Sequence, residues 1–144
     1  MLSGDLEAIE PKLDEARALL SKDHSSRRDT GLAAHYDEAL FELQVAICYC
    51  VAGVPQRSLA LYDRWLNEQL FSRRDFGYFL SLKSEAFAAA EEPDEASRAG
   101  LEAVSLARET SSARTYQEVL RLVDQLQPWR DREPVRQLRE AVLA

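Results

Sequence analysis

Ala52-Gly53-Val54-Pro55-Gln56-Arg57-Ser58 and, 38 residues on, Ala90-Glu91-Glu92-Pro93-Asp94-Glu95-Ala96 read as two versions of one turn. Each sits between two helical patterns. Each places a small residue, Ser58 or Ala96, just inside the second helix. The segment before the first turn sets the period: Tyr36, Ala39, Leu40, Leu43, Ala46, Ile47, Cys50 and Val51 recur at three-and-four spacing, one face of a helix running from about Ala33 to Ala52. Gly53 stops that helix, and Pro55 opens the next, where the missing N–H costs nothing. A further 38 residues from Ala96 reaches Pro134, again at the start of a helix after a tight turn.

The same spacing carries outward in both directions. Leu6, Ile9, Leu13, Ala16, Leu19 and Leu20 form a stripe between Gly4 and Lys22, interrupted by Pro11. Asp23 to Gly31 is polar and reads as a loop. Leu59, Tyr62, Leu66 and Leu70, with Trp65, mark a third helix. Ser72-Arg73-Arg74-Asp75 breaks the chain, and Ser72 or Asp75 caps a fourth helix with Phe76, Phe79, Leu80 and Phe87. Ala96, Ala99, Leu101, Ala103, Val104, Leu106 and Ala107 build a fifth. Tyr116, Val119, Leu120, Val123 and Leu126 build a sixth after Thr110-Ser111-Ser112, and a short seventh spans about Glu133 to Leu143. Short connections force antiparallel neighbours. Composition agrees: Ala plus Leu number 41, while Val, Ile and Thr together number 13, so helix formers dominate and no segment alternates like a strand.

The paired helices, the small residues at their crossings (Ala46 facing Ser58, and Ser84 with Ala96) and the aromatics Tyr49 and Phe87 resemble the tetratricopeptide repeat. Gly53 occupies the turn, Glu91-Glu92 stands in for it in the next pair, and Trp65 replaces a residue that is usually small. The spacing of 38 exceeds the family's usual length of about 34. The resemblance implies an all-α, right-handed superhelix of about seven helices in one domain, 1–144. It divides into a half-repeat 1–22 and pairs 33–70, 75–109 and 112–143. The run Ala96-Ser97-Arg98-Ala99-Gly100-Leu101-Glu102-Ala103, then Ser111-Ser112-Ala113-Arg114, Gln127-Pro128-Trp129-Arg130-Asp131 and Pro134-Val135-Arg136-Gln137-Leu138, is similar to the ends of such domains in bacterial transcriptional regulators. There they follow a helix-turn-helix domain, which this sequence lacks. Opening on half a repeat fits either a fragment or a stand-alone relative.

Chemistry-bearing motifs are sparse. Five glycines, at 4, 31, 53, 77 and 100, form no phosphate loop. His24 and His35 have no nucleophile at a diagnostic spacing and read as surface or capping residues. Cys48 and Cys50, two apart on one helix, point in different directions and read as buried small apolar residues without a metal or a disulfide. No enzyme activity and no cofactor are expected. A net charge of −7 argues against direct nucleic-acid contact. Arg27-Arg28, Arg73-Arg74 and the cluster Arg130, Arg132, Arg136 and Arg139 read as solubilising charge or a patch for an acidic partner. Trp65 and Trp129 read as packing residues. With no long apolar run and no leader pattern, the expected location is the cytoplasm, away from membranes.

By family analogy the first helix of each pair lines a peptide-binding groove. It comprises Leu43 and Ile47, with Leu40 and Val51; Tyr78, Ser81 and Glu85, with Ala88; and Tyr116 and Val119, with Val123. Such a groove is apolar with a few polar points and suits a protein or peptide partner; the equal alternative is that these apolar residues are buried between the helix pairs. The Lys, Arg and Asn clamp of carboxylate-binding relatives is replaced by Leu43 and Ile47. The expected function is a regulatory protein-interaction module, the sensor or interaction part of a bacterial transcriptional regulator. The alternatives are a homodimerisation scaffold or a stand-alone adaptor.

Overall fold

A computed structural model describes residues 10, 11, 13–17 and 31–144. Among these every regular element is helical. Residue packing divides the chain into two compact units, Met1–Trp65 and Leu66–Ala144.

In the first unit residues 10, 11 and 13–17 are helical, followed by α1 (Gly31–Val51) and α2 (Pro55–Trp65). The stripe read from the sequence is buried only in part: Ala39, Leu43 and Ala46 have no exposed surface and Val45 and Tyr49 join them, whereas Val51, at the end of the stripe, is exposed. Gly53 makes the turn at φ 86°, a left-handed conformation that costs glycine little. Its neighbours close the end of α1, with Val54 N–H on the Tyr49 carbonyl. Where α2 crosses α1, the fully buried Ser58 donates its hydroxyl to the Ala46 carbonyl, so a small residue also meets its hydrogen-bond need. Tyr62 fills the rest of the crossing. Helix α2 ends at Trp65 and not near Leu70. The Asn67 side chain accepts from the Gln69 N–H at 2.8 Å, and this local bond competes with continued helix.

The second unit holds α3 (Arg73–Ala89), α4 (Pro93–Thr110), α5 (Ala113–Gln125), a 3-10 turn (Gln127–Trp129) and α6 (Glu133–Leu143). Ser72 is the cap of α3, its hydroxyl accepting from the Asp75 N–H at 3.1 Å. Asp75 serves the positive end of the same first turn. Ser112 caps α5 in the same way, through the Thr115 N–H at 3.2 Å. The second turn repeats the first: Glu91 at φ 62° stands 38 residues after Gly53, and Pro93 opens α4 as Pro55 opens α2. The third junction departs from the period. Pro134 lies one residue inside α6, and the 3-10 turn around Pro128 lengthens the connection.

Helix α3 packs on α4, α5 packs against both, and α6 packs on α4 and α5. The core between them is Leu80, Ala96, Ala103, Val104, Leu106, Val119, Leu122, Leu126, Val135 and Leu138. Gly100 lets three helices meet. A Cβ there would stand 2.6 Å from Leu122 Cδ2 on α5 and 3.2 Å from both Leu138 methyls on α6. Polar ties finish the unit. Tyr116 Oη donates to the Val142 carbonyl at 2.7 Å, and Arg108 reaches the carbonyls of Ala141, Val142 and Ala144 at the end of α6.

Candidate functional site

Several of the arginines anticipated as an external patch are exposed and already paired within the chain. Arg73, the first residue of α3, pairs with Glu109, and Arg74 donates to the Thr110 carbonyl at 2.7 Å. Arg132 makes a bidentate pair with Asp94, both bonds 2.8 Å, and Arg136 pairs with Glu133. These pairs hold the Asp94, Glu109 and Glu133 carboxyls below their ordinary values, chiefly through the hydrogen bond from the partner guanidinium. Arg27, Arg28 and His24 lie outside the described residues. His35 is exposed near the start of α1. Cys48 corrects the sequence expectation: it falls off the apolar stripe and is exposed, while Cys50 is half-buried. No group of three or more His, Cys, Asp or Glu suited to a metal ion occurs among the described residues. Among them, no helix is long and apolar enough to cross a membrane.

The anticipated groove residues separate into two sets. Leu43, Ser81 and Val119 are fully buried and cannot touch a ligand in this conformation. Ser81 turns its hydroxyl onto the Tyr78 carbonyl. Ile47 is half-buried on α1. Tyr116 is half-buried and tied to α6 through its hydroxyl, so it holds the fold rather than lining the α3 side of α5. The expectation placed α5's apolar stripe on the groove, but that stripe supplies Val119 and Leu122 to the core.

Tyr78 and Glu85 are half-buried, and they lie with three residues of α5 that were not read as groove residues: Arg114, Glu118 and Arg121. The Arg114 guanidinium lies over the Tyr78 ring, 3.7 Å from its centroid. Two turns along α3, the Glu85 carboxyl lies near the Glu118 side chain of α5. Arg121 flanks the pair, with Nη1 3.9 Å from Glu118 Oε1. Burial first, then the neighbouring Glu118 carboxyl and its charge, push the Glu85 carboxyl up to about 8, with Arg121 acting weakly the other way. Glu85 Oε2 is sealed from solvent and has no hydrogen-bond partner. The period contained the signal for the α5 residues, since 114, 118 and 121 share one helix face.

Two clefts lie elsewhere. One of about 460 Å³ is lined by Glu91, Glu92, Pro93, Asp94, Glu95, Arg98, Trp129 and Arg132. Its charge is partly met from within, by the Asp94–Arg132 and Glu95–Arg98 pairs. The other, of about 250 Å³ in the first unit, is lined by Arg17, Tyr49, Arg57, Ala60 and Leu61. There Arg17 pairs with Glu42 at 2.9 Å, and Arg57 lies over the Tyr49 ring at 5.5 Å while pairing with Glu10. Compared with known proteins, the chain matches no family model, no curated protein and no solved structure.

Proposed function

We propose that the chain is a protein-interaction module of tetratricopeptide-like helix pairs, and that a partner peptide docks along the joint between α3 and α5. The packing order supports the repeat reading. The first helices of the two pairs, α3 and α5, lie beside one another, and the second helices, α4 and α6, do likewise. The observation that carries the docking site is the Tyr78–Arg114 stack at that joint. Arginine and tyrosine dominate the energetics of protein interfaces because each offers a large contact area together with polar groups. Arg114 is exposed and caps no helix, so its fixed position over Tyr78 presents donors outward at little entropic cost.

With Arg114 and Arg121 lining the site, binding should weaken as salt rises more than binding in an apolar groove would. Placement within a bacterial transcriptional regulator rests on the resemblance of residues 96–138 and belongs to this proposal. Homodimerisation has less support. The exposed large apolar residues among those described, Val51, Leu120 and Leu143, stand on three different helices.

The test is capture of partners from lysate by the tagged chain, followed by affinity measurement on the captured protein. Arg114→Glu and Tyr78→Ala should each lower affinity at least tenfold with unchanged circular dichroism. Undiminished capture by both variants would overturn the site. Leu43→Asp and Tyr116→Ala are unsuitable probes, because the first buries a charge and the second removes a tie to α6.

A further inference from the structure

We propose that the α3–α5 joint recognises a phosphate monoester, a phosphoserine or phosphothreonine of the docking peptide, held between the guanidiniums of Arg74 and Arg114. This rests on the docking site at that joint and names the chemistry of what the site takes. Four residues close a ring at the corner where α3 and α5 begin. Arg114 lies over the Tyr78 ring, 3.7 Å from its centroid. Tyr78 stands one turn after Arg74 on α3, so the two share a face. Arg74 reaches the end of α4, with Nη1 2.7 Å from the Thr110 carbonyl and 3.5 Å from that of Ser111. Ser111 stands three residues before Arg114 and completes the ring. Both arginines are exposed and border the same corner from two sides.

The charge of this corner is unbalanced. Arg73, Arg98, Arg132 and Arg136 of the same unit each meet a carboxylate. Among the described residues, Arg74 meets only carbonyl oxygens and Arg114 only an aromatic face. Each stands second in its helix, Arg74 in α3 and Arg114 in α5, where the positive end of the helix disfavours a cation. The first turn of α5 has no acid to offset this. Two like charges so placed repel one another until an anion lies between them. Arg74 engages α4 through Nη1 alone, and Arg114 keeps its N–H donors for a ligand while the Tyr78 ring holds it in place. A carboxylate is satisfied by one guanidinium, as Asp94 is by Arg132. Two guanidiniums from different helices suit a group with three acceptor oxygens and a charge of about −1.5 to −2, which a phosphate monoester supplies at neutral pH.

NMR titration of the full chain, following arginine Nε–H and backbone amide resonances, tests this. The probe is N-acetyl-phosphoserine amide, and the comparison is N-acetylaspartate amide at the same ionic strength. The phosphoserine probe should shift Arg74, Arg114 and the amides of residues 111–115 together and saturably, and leave Arg98 and Arg136 unmoved. Arg74→Gln and Arg114→Gln should each weaken that binding at least tenfold. Arg114 holds no backbone group, so its variant reads the site and not the end of α4. Equal binding of the aspartate probe, shifts spread evenly over the exposed arginines, or no saturable shift would each overturn the phosphate. If the probe fails while partner capture is still lost in Arg114→Glu and Tyr78→Ala, only the phosphate falls and the docking site stands. If the probe binds while capture survives both variants, the docking peptide falls, and with it the source of phosphate named here.

Discussion

Gly100→Ala sets two opposing effects against each other on one helix. Alanine is favoured over glycine inside a helix by about 1 kcal/mol, so a surface substitution of this kind stabilises. Position 100 is buried, however, and the new methyl would stand 2.6 Å from Leu122 Cδ2 and 3.2 Å from both Leu138 methyls. Ordinary carbon contacts lie at about 3.5–4.0 Å, so about an ångström of displacement is required. Leu122 and Leu138 have no exposed surface into which to swing. Overpacking of this order costs about 1–3 kcal/mol. The net expectation is a loss of about 1 kcal/mol, read as a fall of about 4 °C or more in the thermal midpoint. Ser105→Ala, on the exposed side of the same helix, should instead raise the midpoint slightly. Calorimetry of the three proteins checks the signs. An equal or higher midpoint for Gly100→Ala would mean that α4, α5 and α6 do not meet as closely as described.

Glu91→Gly should stabilise by about 0.5–1 kcal/mol, because a left-handed turn position at φ 62° no longer carries a side chain; urea titration reads the gain, and a loss would contradict the turn geometry. Ser112→Ala should cost about 1 kcal/mol by removing the cap of α5, again by urea titration. Tyr116→Phe should cost about 1 kcal/mol through the lost bond to the Val142 carbonyl and raise amide exchange at the end of α6 before anywhere else. The pH profile should have two limbs. Asp94, Glu109 and Glu133 are held below their ordinary values in the fold, so the unfolded chain binds more protons at low pH and their contribution disappears as pH falls through the carboxylate range. Glu85 is raised from 4.5 to about 8, so the folded chain binds the extra proton, and its contribution disappears as pH rises between those values.

The helical period located most elements because their signals are local. Gly53 with Pro55, and Glu91 with Pro93, mark their turns through backbone constraints that a few residues suffice to impose. Ser72 and Ser112 mark helix starts for the same reason. Helix α2 was drawn too long because Leu66 and Leu70 continue its apolar pattern, while the Asn67 side chain turns the backbone. The site was less legible. Periodicity shows which residues share a face, not which neighbouring helix that face meets. Choosing the apolar face of α5 led to Tyr116 and Val119, whereas contact with Tyr78 and Glu85 comes from Arg114 and Glu118. Glu118 looks like any solvated acid until α3 is placed beside it.

Arg108 and Tyr116 both wait for backbone far downstream. Arg108 donates to the Ala144 carbonyl, 36 residues later, and Tyr116 to the Val142 carbonyl. At ribosomal speeds of about 5–20 residues per second, the clamp's target is synthesised roughly 2–7 s after Arg108 itself. Until α6 has emerged and docked, Gly100 and Leu122 lack the cover of Leu138. A nascent chain stalled before α6 therefore presents a bare seam along α4, the kind of surface that chaperones hold and that neighbouring chains on a polysome can mistake for their own.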